Sequence, residues 1–200
     1  IIRWQKGPIV SEGAEAPLFE LPTYAYNVHG QDGLGNISLL RDKGAEKYPP
    51  KDIRIADAKA WDVIASLVKK DPGNITIITL GPLTNIAKAL ELYPEEMGGV
   101  KEIIMMGGAI YPPGNISPVA EFNIYVDPHA AQRVITSGIP IKMVGLDVTQ
   151  KVILSREKIE EIRKRGDRIS QFISDIIGPY LNYHLNVEGI DGVYLHDPLA

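Results

Sequence analysis

Ile75-Thr-Ile-Ile-Thr-Leu80, broken by Gly81-Pro82 and followed by Leu83-Thr-Asn-Ile-Ala-Lys-Ala-Leu90, decides the fold class. The first half is a short β-branched run without polar alternation, as in a strand buried on both faces. The second half puts Leu83, Ile86, Ala87 and Leu90 on one face of a helix. The alternation extends outward in both directions. Val100–Met106, closed by Gly107-Gly108, reads as a second strand and Ile141–Leu146 as a third. Asp57 is the expected N-cap of a helix carrying Trp61, Ile64, Leu67 and Val68, ending before Pro72-Gly73. A loop to about Phe122 precedes a helix capped by Asp127, starting at Pro128 and running to Ser137-Gly138. Ser155 caps a charged helix that ends at Gly166, and Asp167 caps a longer one with Ile169, Phe172, Ile173 and Ile176. Repeated strand–helix–strand units predict an α/β fold, a mostly parallel sheet with helices on both faces and right-handed crossovers. Residues 1–55, punctuated by Pro8, Gly13, Pro17, Pro22, Gly30, Gly33, Gly35, Pro49 and Pro50, read as loop. No internal repeat or low-complexity linker interrupts the pattern, so residues 1–200 are expected to form a single α/β domain.

Composition narrows the function. Lys and Arg total 21 against 25 Asp and Glu, a net charge of −4, so the basic footprint of a nucleic-acid binder is missing. Cysteine is absent, which excludes disulfides, zinc–thiolate sites and a thiol nucleophile, and fits a cytoplasmic protein. No apolar run approaches the roughly 18 residues of a membrane span, and the first residues do not read as a signal peptide. The chain starts at Ile1 and stops just after His196-Asp197-Pro198, so a piece of a longer protein is expected.

The common phosphate and hydrolase motifs, GxxxxGK[ST], GxSxG and HExxH, do not occur. Gly33-Leu-Gly35 lacks the third glycine of a dinucleotide fingerprint and reads as a turn. The sequons at Asn36, Asn74 and Asn115 are treated as chance matches.

Ligands of doubly wound folds sit beyond the carboxyl ends of the strands. The polar residues there are Thr84 and Asn85, then Asn115, Glu121 and Asn123, then Asp147, and finally His196 and Asp197. Each also has a plain structural role open to it. Thr84 or Asn85 can cap a helix, Asp147 can serve a turn, Glu121 can be a solvated carboxylate, and His196-Asp197 a surface pair. Two amides and a carboxylate on one loop, however, suit the hydroxyls of a sugar. An aspartate nearby could hold a hard cation. Glu121 and Asn123 are expected to grip the ligand and to pack little. The residues thus point to a polyol or ribose site.

Six stretches carry a closer resemblance: Val28-His-Gly-Gln-Asp-Gly-Leu-Gly-Asn36, Leu80-Gly-Pro-Leu-Thr-Asn85, Met105-Met-Gly-Gly108, Val119-Ala-Glu-Phe-Asn123 with Asp127-Pro128, Met143-Val-Gly-Leu-Asp-Val-Thr149, and Asp191-Gly-Val-Tyr-Leu-His-Asp-Pro-Leu-Ala200. In this order they resemble the calcium-dependent nucleoside hydrolases, the inosine-uridine preferring family. The resemblance implies hydrolysis of the N-glycosidic bond of purine or pyrimidine ribonucleosides through a calcium-positioned water and an oxocarbenium-like transition state. It implies Asp197 and the carbonyl of Leu80 as calcium ligands. It implies Asn115, Glu121 and Asn123 on the ribose hydroxyls, with Met106 and Phe122 lining the pocket. His29 falls near the nucleobase and His196 beside the leaving group, as the catalytic histidines; a proton from His196 predicts an enzyme that tolerates pyrimidines as well as inosine.

The family's amino-terminal aspartate cluster, which supplies most calcium carboxylates and the general base, does not occur in these residues. The family's first strand and its C-terminal part are likewise expected to lie outside them. The resemblance further implies a homo-oligomer, a dimer or tetramer. The alternative is a non-catalytic ribose- or nucleoside-binding α/β protein that lacks the general base, and sequence upstream of Ile1 would separate the two.

Overall fold

The computed structural model describes residues 8–49 and 54–200; Pro50 lies outside them. In chain order the elements begin with β1 (Val10–Ser11), α1 (Tyr26–His29), β2 (Arg41–Asp42), β3 (Ala45–Glu46) and β4 (Ile55–Ala56). The central part runs α2 (Ala60–Lys70), β5 (Thr76–Thr79), α3 (Thr84–Leu92), α4 (Pro94–Met97), β6 (Glu102–Met106), α5 (Phe122–Val126), α6 (Pro128–Ile135) and β7 (Ile141–Val144). It closes with α7 (Leu146–Thr149), β8 (Ile153–Ser155), α8 (Arg156–Lys164), α9 (Arg168–Tyr183) and β9 (Gly192–Tyr194). The chain divides into two compact units, one of Ile1–Pro22, Asp52–Val148 and His196–Ala200, the other of Thr23–Lys51 and Thr149–Leu195.

The first unit holds the parallel sheet β5-β6-β7, with Ile77 opposite Ile103 and Met105 opposite Met143. Side chains alternate across a strand, so Ile77, Ile103, Met105 and Ile141 share a face. Against them pack Val68 of α2, Leu83 and Ile86 around the start of α3, Met97 of α4, and Ala130, Ala131 and Val134 of α6. Removing a fully buried side chain such as Leu83 would cost about 2–5 kcal/mol, because the transfer free energy is lost and a cavity remains. A separate parallel pair joins β1 to β4. The expected helix after Asp57 is present but starts at Ala60. The aspartate that serves its first turn is Asp62, whose carboxylate accepts the Lys59 N–H at 3.3 Å and the Tyr93 hydroxyl at 2.7 Å.

The second unit is built on α8 and α9, capped as expected by Ser155 and Asp167, with the antiparallel pair β8-β9 beside them. Ile159, Leu181 and Val193 form its small core. Two features escaped the sequence pattern. β2 and β3 form a hairpin whose two turn residues, Lys43 and Gly44, both have positive φ, the geometry that matches strand twist. Gly35, at φ +74°, lies so close to α9 that a Cβ would sit 2.8 Å from the Ile176 carbonyl oxygen.

Candidate functional site

At the carboxyl end of the parallel sheet, β6 passes through Gly107-Gly108 into a long loop that returns at α5. The Leu146 N–H donates to the Gly108 carbonyl at 2.9 Å. Gly145 is needed for that approach, since a Cβ there would lie 2.7 Å from the same oxygen. Asp147 then ties down the start of the loop, its two carboxylate oxygens accepting the N–H groups of Ile110 at 3.0 Å and Tyr111 at 3.1 Å.

Glu121 is the N-cap of α5 and is 2 % exposed. One carboxylate oxygen accepts N–H groups from Gly108 at 3.0 Å and Ile124 at 3.2 Å, and the other accepts from Asn123 at 2.9 Å. A carboxylate offers about four acceptor positions, so three backbone donors leave one for a ligand hydroxyl. Asn123 donates its amide N–H to the Met106 carbonyl at 3.1 Å, with the Met106 sulfur at 3.4 Å. Asn115 accepts the Phe122 N–H at 2.9 Å on its carbonyl oxygen, which leaves its amide nitrogen, a pure donor, at the exposed side of the loop. The fold thus brings Met106, Asn115, Glu121, Phe122 and Asn123 together.

One expectation needs correction. Glu121 and Asn123 do not pack little; both are buried. The reason is that α5 has five residues, too few to be stable alone, and its first N–H groups have no partner inside the helix. The same carboxylate that could meet a sugar therefore also holds the helix start.

Asp197 opens the last turn of the chain, Asp197–Leu199, and His196 precedes it, accepting the Leu199 N–H at 3.3 Å on its carbonyl. The Asp197 carboxyl is pushed above the usual carboxylate range, first by partial removal from water and then by the negative charge of Glu121. Leu80 follows β5 with an exposed side chain, just before the bend at Gly81. His29 belongs to the second unit, where it ends α1 with its ring centroid 5.4 Å from that of Tyr180. Partial burial, then the charge of His184, lowers the pKa of His29.

Other residues singled out by pattern are structural. The Thr84 hydroxyl donates to Asp127 at 2.7 Å, and the Asn85 side-chain oxygen accepts the Ala14 N–H at 2.8 Å. Asp127, legible as a helix cap through its bond from Ala130 at 2.9 Å, also accepts the Leu18 N–H at 2.9 Å. The sequence pattern does not single out His184, whose signal is the spacing of Tyr180, His184 and Glu188 on one face of a helix.

The Asp197 carboxylate suits a hard cation, and a positive charge beside it would offset the repulsion from Glu121. The Leu80 carbonyl after β5 is a donor of the same hard type. Two donors are well short of the roughly six to eight oxygens of calcium, and among the described residues no group of three or more His, Asp or Glu stands together as a metal site. Nor is any described helix long and apolar enough to cross a membrane.

Comparison with known proteins gives one answer. Residues 2–200 match the inosine-uridine preferring nucleoside hydrolase family. Uridine nucleosidase 1 of Arabidopsis thaliana is 38 % identical over 192 residues, covering 96 % of this chain and 54 % of the relative. A solved plant nucleoside hydrolase superposes with a TM-score of 0.85 at 38 % identity, over 95 % of this chain and 57 % of that one. A purine-preferring ribonucleoside hydrolase from Gardnerella vaginalis gives 0.80 at 31 % identity, over 94 % and 57 %. The chain spans a little over half the length of these relatives. With the family match running through nearly every residue and the strand-end loop built as described, the chain belongs to the inosine-uridine preferring nucleoside hydrolase family.

Proposed function

We propose that the protein uses water to cleave the N-glycosidic bond of ribonucleosides, giving ribose and the free base. The observation that supports this best is the Glu121 carboxylate, fixed by three backbone N–H groups with one acceptor position left, between the amides of Asn115 and Asn123. Cleavage passes through a ribosyl cation of oxocarbenium character. A fixed carboxylate and two amides on the ribose hydroxyls favour that state, because their dipoles need no reorganisation as charge develops. Met106 and Phe122 line the pocket. Asp197 and the Leu80 carbonyl would contribute to holding calcium, which when bound would supply a positive charge toward the ribose hydroxyls and the attacking water. His196 delivers a proton to the departing base, and His29 faces the base. Uridine is the substrate named for the Arabidopsis relative and purines are preferred by the Gardnerella one; with His196 as proton donor we propose that both uridine and inosine are accepted. A dimer or tetramer in the cytoplasm completes the proposal.

The test is base release from uridine and inosine by the full-length protein, with and without calcium. Asn123→Ala should lower turnover by about 10- to 100-fold, the worth of one or two hydrogen bonds to a polarised sugar. Asp197→Ala should lose calcium affinity by calorimetry together with activity. Binding of nucleoside without release of base would favour the non-catalytic alternative. Undiminished calcium affinity would remove Asp197 from the metal site.

A further inference from the structure

Away from the strand-end loop, one buried titratable side chain among the described residues has an unpartnered nitrogen: His184, 2 % exposed, with Nε2 unbonded. It begins a π-helical turn, His184–Glu188, at the end of α9. Such i→i+5 turns are rare and are found frequently at functional sites. The Nδ1 atom lies 3.1 Å from the Tyr180 carbonyl oxygen. A carbonyl only accepts, so Nδ1 carries hydrogen, and in the neutral ring Nε2 is a bare acceptor. Its nearest ionic neighbour is Glu188, whose carboxylate oxygen is 3.9 Å away and is also only an acceptor. Two acceptors facing each other at the edge of a dry site are satisfied together by one proton.

The groups around this pair are aromatic. Tyr180 and Tyr183 face His184 from α9, with centroids at 4.3 and 5.7 Å, and Tyr194 faces it from β9 at 5.3 Å. His29 of α1 joins the cluster at Tyr180, 5.4 Å from that ring. The charge of Glu188 is felt within the cluster, since it adds to burial in raising the Tyr194 hydroxyl above its usual range.

We propose that His184 and Glu188 form a proton-accepting pair that keeps His29 neutral, which makes His184 a positioning residue acting on His29. A proton held between Nε2 and the Glu188 carboxylate turns an acceptor–acceptor contact into an ion pair. The positive charge then disfavours a second one on His29, which stays a neutral imidazole able to donate or accept one hydrogen bond. The lowered proton affinity of His29 agrees with this. The consequence for catalysis rests on the placement of His29 beside the base.

Side-chain nitrogen NMR of the histidines in the full-length protein, titrated between pH 5 and 8, tests the pair without an activity assay. The His184 ring should show the Nδ1–H form at the alkaline end. His184→Gln should raise the titration midpoint of His29 by about one pH unit, the usual scale for a neighbouring charge. Glu188→Gln, a change at the surface, should lower the midpoint of His184, because the carboxylate that shares its proton is gone. A His29 midpoint that stays put in a folded His184→Gln protein, or a His184 midpoint that Glu188→Gln leaves unmoved, overturns the proposal. If both midpoints move while the pH profile of uridine turnover does not, the pair stands and the base-facing placement of His29 fails.

Discussion

Glu121 and Asp127 stand six residues apart, each opening one of two consecutive helices, and each accepts three hydrogen bonds. Asp127 is fully buried, and its donors come from Leu18, Thr84 and Ala130, so it stitches a distant loop and α3 to α6. Glu121 takes its donors only from the loop site itself, and a second carboxylate, Asp197, is near enough to feel its charge. The charge of Glu121 raises the cost of charging Asp197, so folding alone gives no reason for the two carboxylates to share this region. Bonding alone therefore does not separate a structural carboxylate from a functional one; the company it keeps does. A third case marks the other limit. Asp32 accepts N–H groups from Leu34, Asn36 and Ser38 in a surface loop, and these bonds, Ser38 foremost, hold its pKa down to about 2.

The comparison breaks first at Asp127. Asp127→Ala leaves a hydroxyl and two N–H groups without their acceptor, and a loss of about 3–5 kcal/mol is expected from urea unfolding. A loss below about 1 kcal/mol would show that the bonds to Leu18 and Thr84 contribute nothing. Glu121→Gln should do the reverse, costing about 1 kcal/mol in stability where its amide nitrogen opposes a backbone donor, but roughly 100-fold in turnover on uridine, since the negative charge that favours the ribosyl cation is gone. Equal damage to stability from both substitutions, with normal turnover per folded molecule, would make Glu121 a second Asp127.

The smallest effect belongs to Asp32. Its folded pKa is below the ordinary 3.8, so its contribution is present above 3.8 and is lost as pH falls through about 2. Asp32→Asn should therefore speed amide exchange at Leu34, Asn36 and Ser38 at neutral pH and leave global unfolding almost unchanged. Unaltered exchange at those three amides would mean that the loop is held by its glycines instead.

Local pattern accounts for the central part of this fold. The runs at Ile75–Leu80, Val100–Met106 and Ile141–Leu146 each contain an observed strand, and Asp127, Ser155 and Asp167 cap the helices they precede. Periodicity and capping act over a few residues, so a few residues suffice to read them. The shorter elements were silent for the same reason. β1 and β4 have two residues each and pair with one another across a long stretch of chain, and α5, with five residues, is too short to show a helical period. Asp62 replaced Asp57 at the start of α2 because the carboxylate one turn in could also take the Tyr93 hydroxyl.

For the site, the sequence by itself determined which residue types stand on the strand-end loops, and the order of six stretches tied them to a family. Only the tertiary structure decided how much of each group is already committed. Thr84 is bonded to Asp127, Asn85 to the Ala14 N–H, Asp147 is occupied by Ile110 and Tyr111, and Glu121 keeps a single acceptor position. His184 became visible only when burial removed water from its second nitrogen. The physical reason is common to all of them: a side chain's chemistry is written in its type, but its free valence depends on which backbone donors and charges the fold sets around it.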